Sequence, residues 1–385
     1  MTQVQLGEAC GLSQSAVSRL EKRGTDPYAM DVLLRLSAHL GIPARLLGLA
    51  ENGTQARNGT EHVDRRQFLG GVAAAAATPV LATVPDLPDE AGQQAAALRL
   101  GTTAFRRLDG STPSRELADV VHSHMRLIQG LAGSTPTDSH RSKLAAVASE
   151  TASLAAWLAW DMGDNGSARS FYGAAIKAAR SAGDPLLAAY QAGSLAQFEA
   201  HAGNAAQALS LALTARRHLG STRPPIADAW LSSVEALGHA AGGDRRSADR
   251  ALTRSRTVAA TLAGSELPPW PWVFAFDESK VAAFRVTCGA RLSVPEWVTT
   301  ADASALATGH AKQRALVVLD IAAGHLAAGR IEAAFALASR AMETGLQYRS
   351  GRIVERARAL RRSLITSSPP KVVRDFDERL HGVYL

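Results

Sequence analysis

Three glycines, Gly163, Gly203 and Gly243, recur at intervals of forty residues, and each opens a similar stretch: GDNGSARSFYGAA, GNAAQALSLALTA and GDRRSADRALTRS. A fourth copy, GRIEAAFALASRA, starts at Gly329, roughly two periods later, which leaves room for one distorted copy around Asp277–Pro295. Each unit reads as helix, glycine turn, helix. Small residues hold a fixed phase after the glycine: Ala168, Tyr172 and Ala175 correspond to Ala208, Ala212 and Ala215. Ala248, Leu252 and Ser255 continue the series, and Ala334, Ala338 and Ala341 complete it. Spacings of four and seven place each set on one helical face, where small side chains let paired helices approach closely. Aromatics make up only 5% of the chain and alanine, the strongest helix former, recurs throughout, while long β-branched alternating runs are absent. The fold class expected is all-α.

The first fifty residues follow a different plan. TQVQLGEAC reads as a short helix carrying Val4, Leu6 and Ala9 inward, and GLS then makes a turn. Gly11 ends the first helix, Leu12 plugs the turn and Ser13 caps the next. In QSAVSRLEK, Ala16, Val17 and Leu20 share a buried face, while Gln14, Ser15, Ser18 and Arg19 point elsewhere. Two helices joined this way place the second in the major groove of DNA. There Gln contacts adenine, Arg contacts guanine, and Ser serves base edges or phosphate. Gln3 and the first helix's leading amides are placed to hold the backbone, and Lys22 and Arg23 to meet phosphate. The candidate DNA-binding set is therefore Gln3, Ser13, Gln14, Ser15, Ser18, Arg19, Lys22 and Arg23, with solvent exposure alone as each residue's other reading. Lys and Arg exceed Asp and Glu by seven, a surplus compatible with an anionic partner.

The pattern TQxxL…GLSQSxVSRLE, followed by a leucine-rich helix and LGIPARLL, resembles the Cro/C1-type, or XRE-family, helix-turn-helix over about residues 2–49. That resemblance implies a double-stranded DNA partner, a transcriptional role and a homodimer reading two half-sites. Members of that family have a further helix ahead of the TQ position, which completes the small core. The expectation is that translation starts upstream; the alternatives are a lost first helix with weakened DNA binding, or packing against the larger domain.

ENGTQARNGTEH reads as a linker. Arg65–Arg66, Phe68–Leu69 and the alanine-rich run behind them resemble a twin-arginine export signal. Its place behind a DNA-reading domain, and an apolar run too short to span a bilayer, favour a helix starting at Asp64 instead. Similar RRxFL joints occur in large actinobacterial regulators that pair this helix-turn-helix with helical repeats. The expected organisation is 1–50 for DNA binding, 51–94 for linker and alanine-rich helix, and 95–385 for the repeats. No membrane partner is expected, and the expected compartment is the cytoplasm.

The forty-residue units resemble degenerate tetratricopeptide repeats. That resemblance implies an α-solenoid whose concave face holds a peptide or protein, as in repeat-containing quorum regulators. SELPPWPWVFAFDESK breaks the rhythm: its prolines forbid a regular helix, and Trp270, Trp272 and Phe274 put aromatic surface into a loop. The loop either plugs an irregular repeat or lines a groove with Asp277, Glu278 and Lys280, and Tyr190, Gln197 and Arg285 are further groove candidates.

Nothing in the sequence reads as catalytic. His122 and His124 stand two apart, which is wrong for one helical face, and no metal-ligand spacing, phosphate loop or nucleophile turn occurs. Cys10 and Cys288 lie in apolar helical contexts and read as buried thiols. The expectation is a regulator without enzymatic activity or cofactor; the other reading is an interaction scaffold whose DNA-binding part is vestigial or truncated.

Overall fold

The computed structural model describes residues 14, 90–220, 224–262, 271–272, 276–299, 303–306 and 308–383. The chain divides into two compact units, Met1–Leu87 and Pro88–Leu385. In the first, Gln14 is helical and exposed. In the second, the described regular structure is entirely helical.

Fourteen α-helices are described in that second unit: α1 (Glu90–Leu108), α2 (Ser114–Ser134), α3 (Asp138–Asp161), α4 (Asn165–Ala182), α5 (Pro185–His201), α6 (Ala205–Leu219), α7 (Pro225–Ala241), α8 (Arg245–Ala259), α9 (Glu278–Arg291), α10 (Pro295–Thr299), α11 (Ala311–Ala327), α12 (Ile331–Gln347), α13 (Gly351–Ser363) and α14 (Lys371–His381). A 3₁₀ turn, Ala303–Leu306, precedes α11. Helix α1 begins inside the stretch 51–94 read as linker, so that stretch gives its last residues to the helical unit.

One turn recurs between paired helices. Gly163, Gly203, Gly243 and Gly329 have φ of 86°, 88°, 77° and 75°, a conformation that costs an L side chain strain and a glycine nothing. The amide of the next residue donates back five positions, at 2.9 Å, in Asp164→Ala159, Asn204→Glu199, Asp244→His239 and Arg330→His325. This bond closes the first helix. Asp164 and Asp244 then cap the second by accepting from the amides of Ser167 and Ser247. The same turn appears at Ser293 (φ 52°), with Val294 donating to Gly289 at 2.9 Å, and at Arg349 (φ 48°), with Ser350 donating to Gly345 at 2.9 Å. The irregular segment 277–295 therefore holds α9, this turn and the start of α10, with serine at the position glycine occupies elsewhere.

The phase read from the sequence is the phase of burial. All twelve aligned positions, from Ala168 to Ala341, are buried. The leading helices of the pairs are buried on most sides: in α5, PLLAAYQAGSLAQFEAH, side chains from Leu187 to Ala200 are almost all shielded. A helix that is apolar or small all round belongs between layers rather than on a surface. Helices α3, α5, α7, α9, α11 and α13 each pack on the next, and α13 packs back on α3. These six helices form a closed ring, with α4, α6, α8 and α12 paired against its members.

Candidate ligand cavity and DNA-binding segment

The ring surrounds a cavity of about 580 Å³ that is partly open to solvent. Helical periodicity explains which side chains reach it. On α5 the wall is Tyr190, Ser194, Gln197 and His201, spaced four, three and four; on α3 it is Ser153, Trp157 and Trp160. Lys280, Phe284 and Thr287 repeat that stripe on α9, and Arg352 and Arg356 contribute one turn of α13. Arg106 and Asp109 enter from the end of α1.

Aromatic rings supply much of the wall. Trp157 and Trp160 meet edge to face at 5.3 Å, and Tyr190 stacks on Trp230 at 5.4 Å. Behind them, Trp272 is fully buried and meets Tyr190 edge-on at 5.6 Å and Trp230 at 6.2 Å. Trp272 is therefore packed as a plug in the layer behind the wall.

The carboxylates of the wall are each held by a cation. Asp320 pairs with Arg356 at 2.6 Å and accepts from Thr287 Oγ1 at 2.6 Å. Asp109 takes Lys312 Nζ on Oδ1 at 2.5 Å, and Trp157 Nε1 (2.8 Å) and His310 Nε2 (3.1 Å) on Oδ2. Burial pushes the Asp109 carboxyl up, but the contacts with His310 and Lys312 outweigh it and hold the pKa at about 2. Glu355 lies beside Arg358 and Arg362.

Two guanidinium groups stand apart from this pairing. Arg352 lies over the Trp160 ring at 3.8 Å and over Trp157 at 4.8 Å. Removal from water pulls its pKa down to about 10. Arg106 reaches the Tyr190 hydroxyl at 3.5 Å and donates to the Glu150 carbonyl at 3.1 Å. Among the described residues neither forms an ion pair with a carboxylate at salt-bridge distance. His201, at the same wall, is held well below its ordinary pKa by burial and by the charges of Arg291, Arg352 and Arg356.

Of the groove residues expected from the sequence, Tyr190, Gln197 and Lys280 lie together on this wall. Asp277, Glu278 and Arg285 do not. Asp277 caps α9, accepting from the Lys280 amide at 3.1 Å and Ser279 Oγ at 2.5 Å, and Glu278 is exposed in the helix's first turn. Arg285 sits one residue past Phe284, about 100° around the helix. It pairs there with Asp249 at 3.0 Å and covers the Trp297 ring at 4.4 Å. Trp270 lies outside the described residues. Sequence reasoning missed Trp157, Trp160, Arg106, Arg352 and Arg356; a four-and-three stripe along the first helix of the pair marked the two tryptophans, and nothing in the sequence marked the arginines.

His124, whose ring touches Thr102 Oγ1 at 3.2 Å and the Leu98 carbonyl at 3.0 Å, is a packing residue, and His122 rests on Phe171. Cys288 is buried, its thiol pushed up to about 12 by that burial. Among the described residues no helix is long and apolar enough to cross a membrane. Cys10 and the Arg65–Arg66 joint lie outside the described residues.

The other functional segment is the amino-terminal one. Gln14 presents an exposed side chain from a helix, and Gln3, Ser13, Ser15, Ser18, Arg19, Lys22 and Arg23 lie outside the described residues. Residues 1–47 match the family model described as helix-turn-helix. Over those residues the chain is similar to a helix-turn-helix of the Cro/C1 type. In such an element the second helix presents side chains to base edges while the first crosses the backbone. The helix-turn-helix covers a small part of the chain. No match to a curated protein was found.

Proposed function

We propose that the chain is a sequence-specific DNA-binding transcriptional regulator, in which the helix-turn-helix reads duplex DNA and the helical unit senses a ligand in its central cavity. The observation that carries the reading is the match of residues 1–47 to the helix-turn-helix model, beside a second unit built around a cavity that the ring surrounds. The helical pairs are read as degenerate tetratricopeptide-like repeats, on the forty-residue phase of glycine and small residues. The cavity acts by binding and not by catalysis, a reading supported by wall carboxylates that are committed to cations. Gln14, Ser15, Ser18 and Arg19 carry base recognition, with Gln3, Ser13, Lys22 and Arg23 on the backbone. A homodimer acting in the cytoplasm completes the proposal, each copy taking one half-site. Ligand binding alters DNA affinity only to the extent that it favours one arrangement of the protein over another.

A random-duplex selection with the full chain at physiological salt tests this. Enrichment of a short two-fold-related sequence is expected, with the preference lost in the double variant Gln14→Ala, Arg19→Ala. Retained folding with no enriched sequence would remove the regulator reading and favour a protein-interaction scaffold.

A further inference from the structure

The charges around the cavity do not cancel among themselves. Its wall carries the cations Arg106, Lys280, Arg352, Arg356 and Arg362 against the carboxylates Asp109, Asp320 and Glu355. Each of those carboxylates is already engaged by a cation: Asp109 by Lys312, Asp320 by Arg356, and Glu355 by Arg358. Asp161, which with Asp109 acts electrostatically on Arg352, directs its own oxygens to Ser114, Lys312 and Ser350. Arg352 and Arg106 thus have aromatic faces and neutral oxygens as their direct contacts among the described residues, and the Glu150 carboxylate that acts on Arg106 electrostatically is itself paired with Arg99 at 2.8 Å. Both line the cavity, Arg106 beside the Tyr190 hydroxyl and Arg352 over Trp160 and Trp157.

Arg106 and Arg352 are half-buried, and a guanidinium that loses part of its hydration without a carboxylate is disfavoured. Stacking on two indoles offsets part of that cost and leaves the N–H edges of the fork for an acceptor. Between these charges the wall carries flat apolar faces, Trp157, Trp160, Tyr190, Trp230 and Phe284, among neutral polar side chains such as Ser194 and Gln197. At about 580 Å³ the space suits a small molecule, for which cavities of roughly 300–1,000 Å³ are usual, rather than a folded partner.

We propose that the cavity binds a small molecule that joins one anionic group, a carboxylate or a phosphate monoester, to a flat apolar ring system. Arg352 and Arg106 receive the anion, and the ring system packs on the apolar part of the wall, where Trp157 and Phe284 are half-buried. Gln197 and Lys280 bound the site on the α5 and α9 sides. The inference rests on the reading of the cavity as the ligand-sensing site and gives that ligand its chemistry.

Isothermal titration of the full chain with 2-naphthoate, 2-naphthyl phosphate and the neutral 2-naphthamide tests it. One of the two anions is expected to bind about tenfold or more tightly than the amide, and the tighter of them identifies the headgroup. Arg352→Gln is expected to abolish that preference, read as the ratio of anion to amide affinity within the folded variant, which a general loss of binding does not move. Arg106→Gln, made in parallel, is expected to reduce the preference in part and guards against a local effect of the first substitution on stacking. Equal affinity for all three probes, failure of all three to bind, or an anion preference that survives in both folded variants overturns the proposal. The duplex selection is read separately: anion binding without an enriched duplex removes the regulator and keeps the site, and an enriched duplex without anion preference does the reverse.

Discussion

Lys312, in the first turn of α11, donates to Asp109 Oδ1 at 2.5 Å, just past the end of α1 and 203 residues away in the chain. The same ammonium reaches Ser114 Oγ at 2.9 Å and Asp161 Oδ2 at 3.3 Å. Asp161, the last residue of α3, also accepts from Ser350 Oγ, the cap of α13, at 2.7 Å. One buried cluster therefore ties the beginnings of α11 and α13 to the ends of α1 and α3, where the ring closes on itself. The ring's other helix contacts follow chain order and form between near neighbours; this one joins its two ends.

Replacing Lys312 with Met is expected to destabilise the helical unit by about 3–5 kcal/mol, the usual result of leaving buried charge without its partner. Asp109 and Asp161 would both lose the ammonium, and their hydrogen bonds to Ser114, Trp157 and Ser350 would not replace its charge. Urea unfolding followed by circular dichroism measures the change. A loss under about 1 kcal/mol would mean that apolar packing of α13 on α3 closes the ring unaided.

Acid should weaken the same seam. The Asp109 carboxyl titrates at about 2 in the folded chain against an ordinary 3.8, so the folded protein holds its proton less readily. Its contribution is fully present above about pH 4 and is lost as the pH falls through 2. At about 1.4 kcal/mol per unit the amount is roughly 2 kcal/mol. Melting temperatures of wild type and Asp109→Asn should therefore lie furthest apart near neutrality and converge towards pH 2; parallel curves would show that Asp109 does not titrate with folding.

The fourfold turn was legible because everything it needs is local. A glycine at positive φ, an aspartate cap beside it in two of the four, and small residues at fixed distances fall within thirteen consecutive positions, and each leaves a compositional mark. Ring closure was not legible, since Lys312 and Asp109 are ordinary charged residues until the fold brings them together. Arg352 was hidden for a related reason: GRIVERARALRRS reads as a helix with a solvated basic face, and only the return of α13 onto α3 turns that arginine over Trp160. Asp277 and Arg285 misled in the opposite sense, since chemistry-bearing residues near a tryptophan-rich loop are equally suited to capping a helix and pairing across its outside.

Ser293 provides a test of the shared turn. It holds φ 52° where four other turns carry glycine, and a left-handed serine costs about 1–2 kcal/mol. Part of that is offset because glycine loses more chain entropy on folding. Ser293→Gly is expected to raise stability by about 0.5–1 kcal/mol, and differential scanning calorimetry should show a higher melting temperature. A lower one would mean that the serine side chain stabilises α10 by a contact that outweighs its backbone strain.

Gly351 and Gly173 predict opposite outcomes for one chemical change. A Cβ on Gly351, the first residue of α13, would stand 2.5 Å from the Met162 carbonyl oxygen and 2.8 Å from its carbon, and neither backbone atom can swing aside. Gly351→Ala must therefore push α13 off the end of α3, at a cost of about 1–3 kcal/mol. The same displacement would move Arg352, the next residue, away from Trp160, so affinity for an anionic probe should fall with stability. Gly173, exposed within α4, would place its Cβ in open space. There alanine brings only helix propensity, worth about 0.5–1 kcal/mol of added stability. Thermal melts of the two variants, taken with their 2-naphthoate titrations, separate a seam that sets the position of the cavity wall from one that merely holds the unit together. Unchanged probe affinity in a destabilised Gly351→Ala protein would assign it the second role.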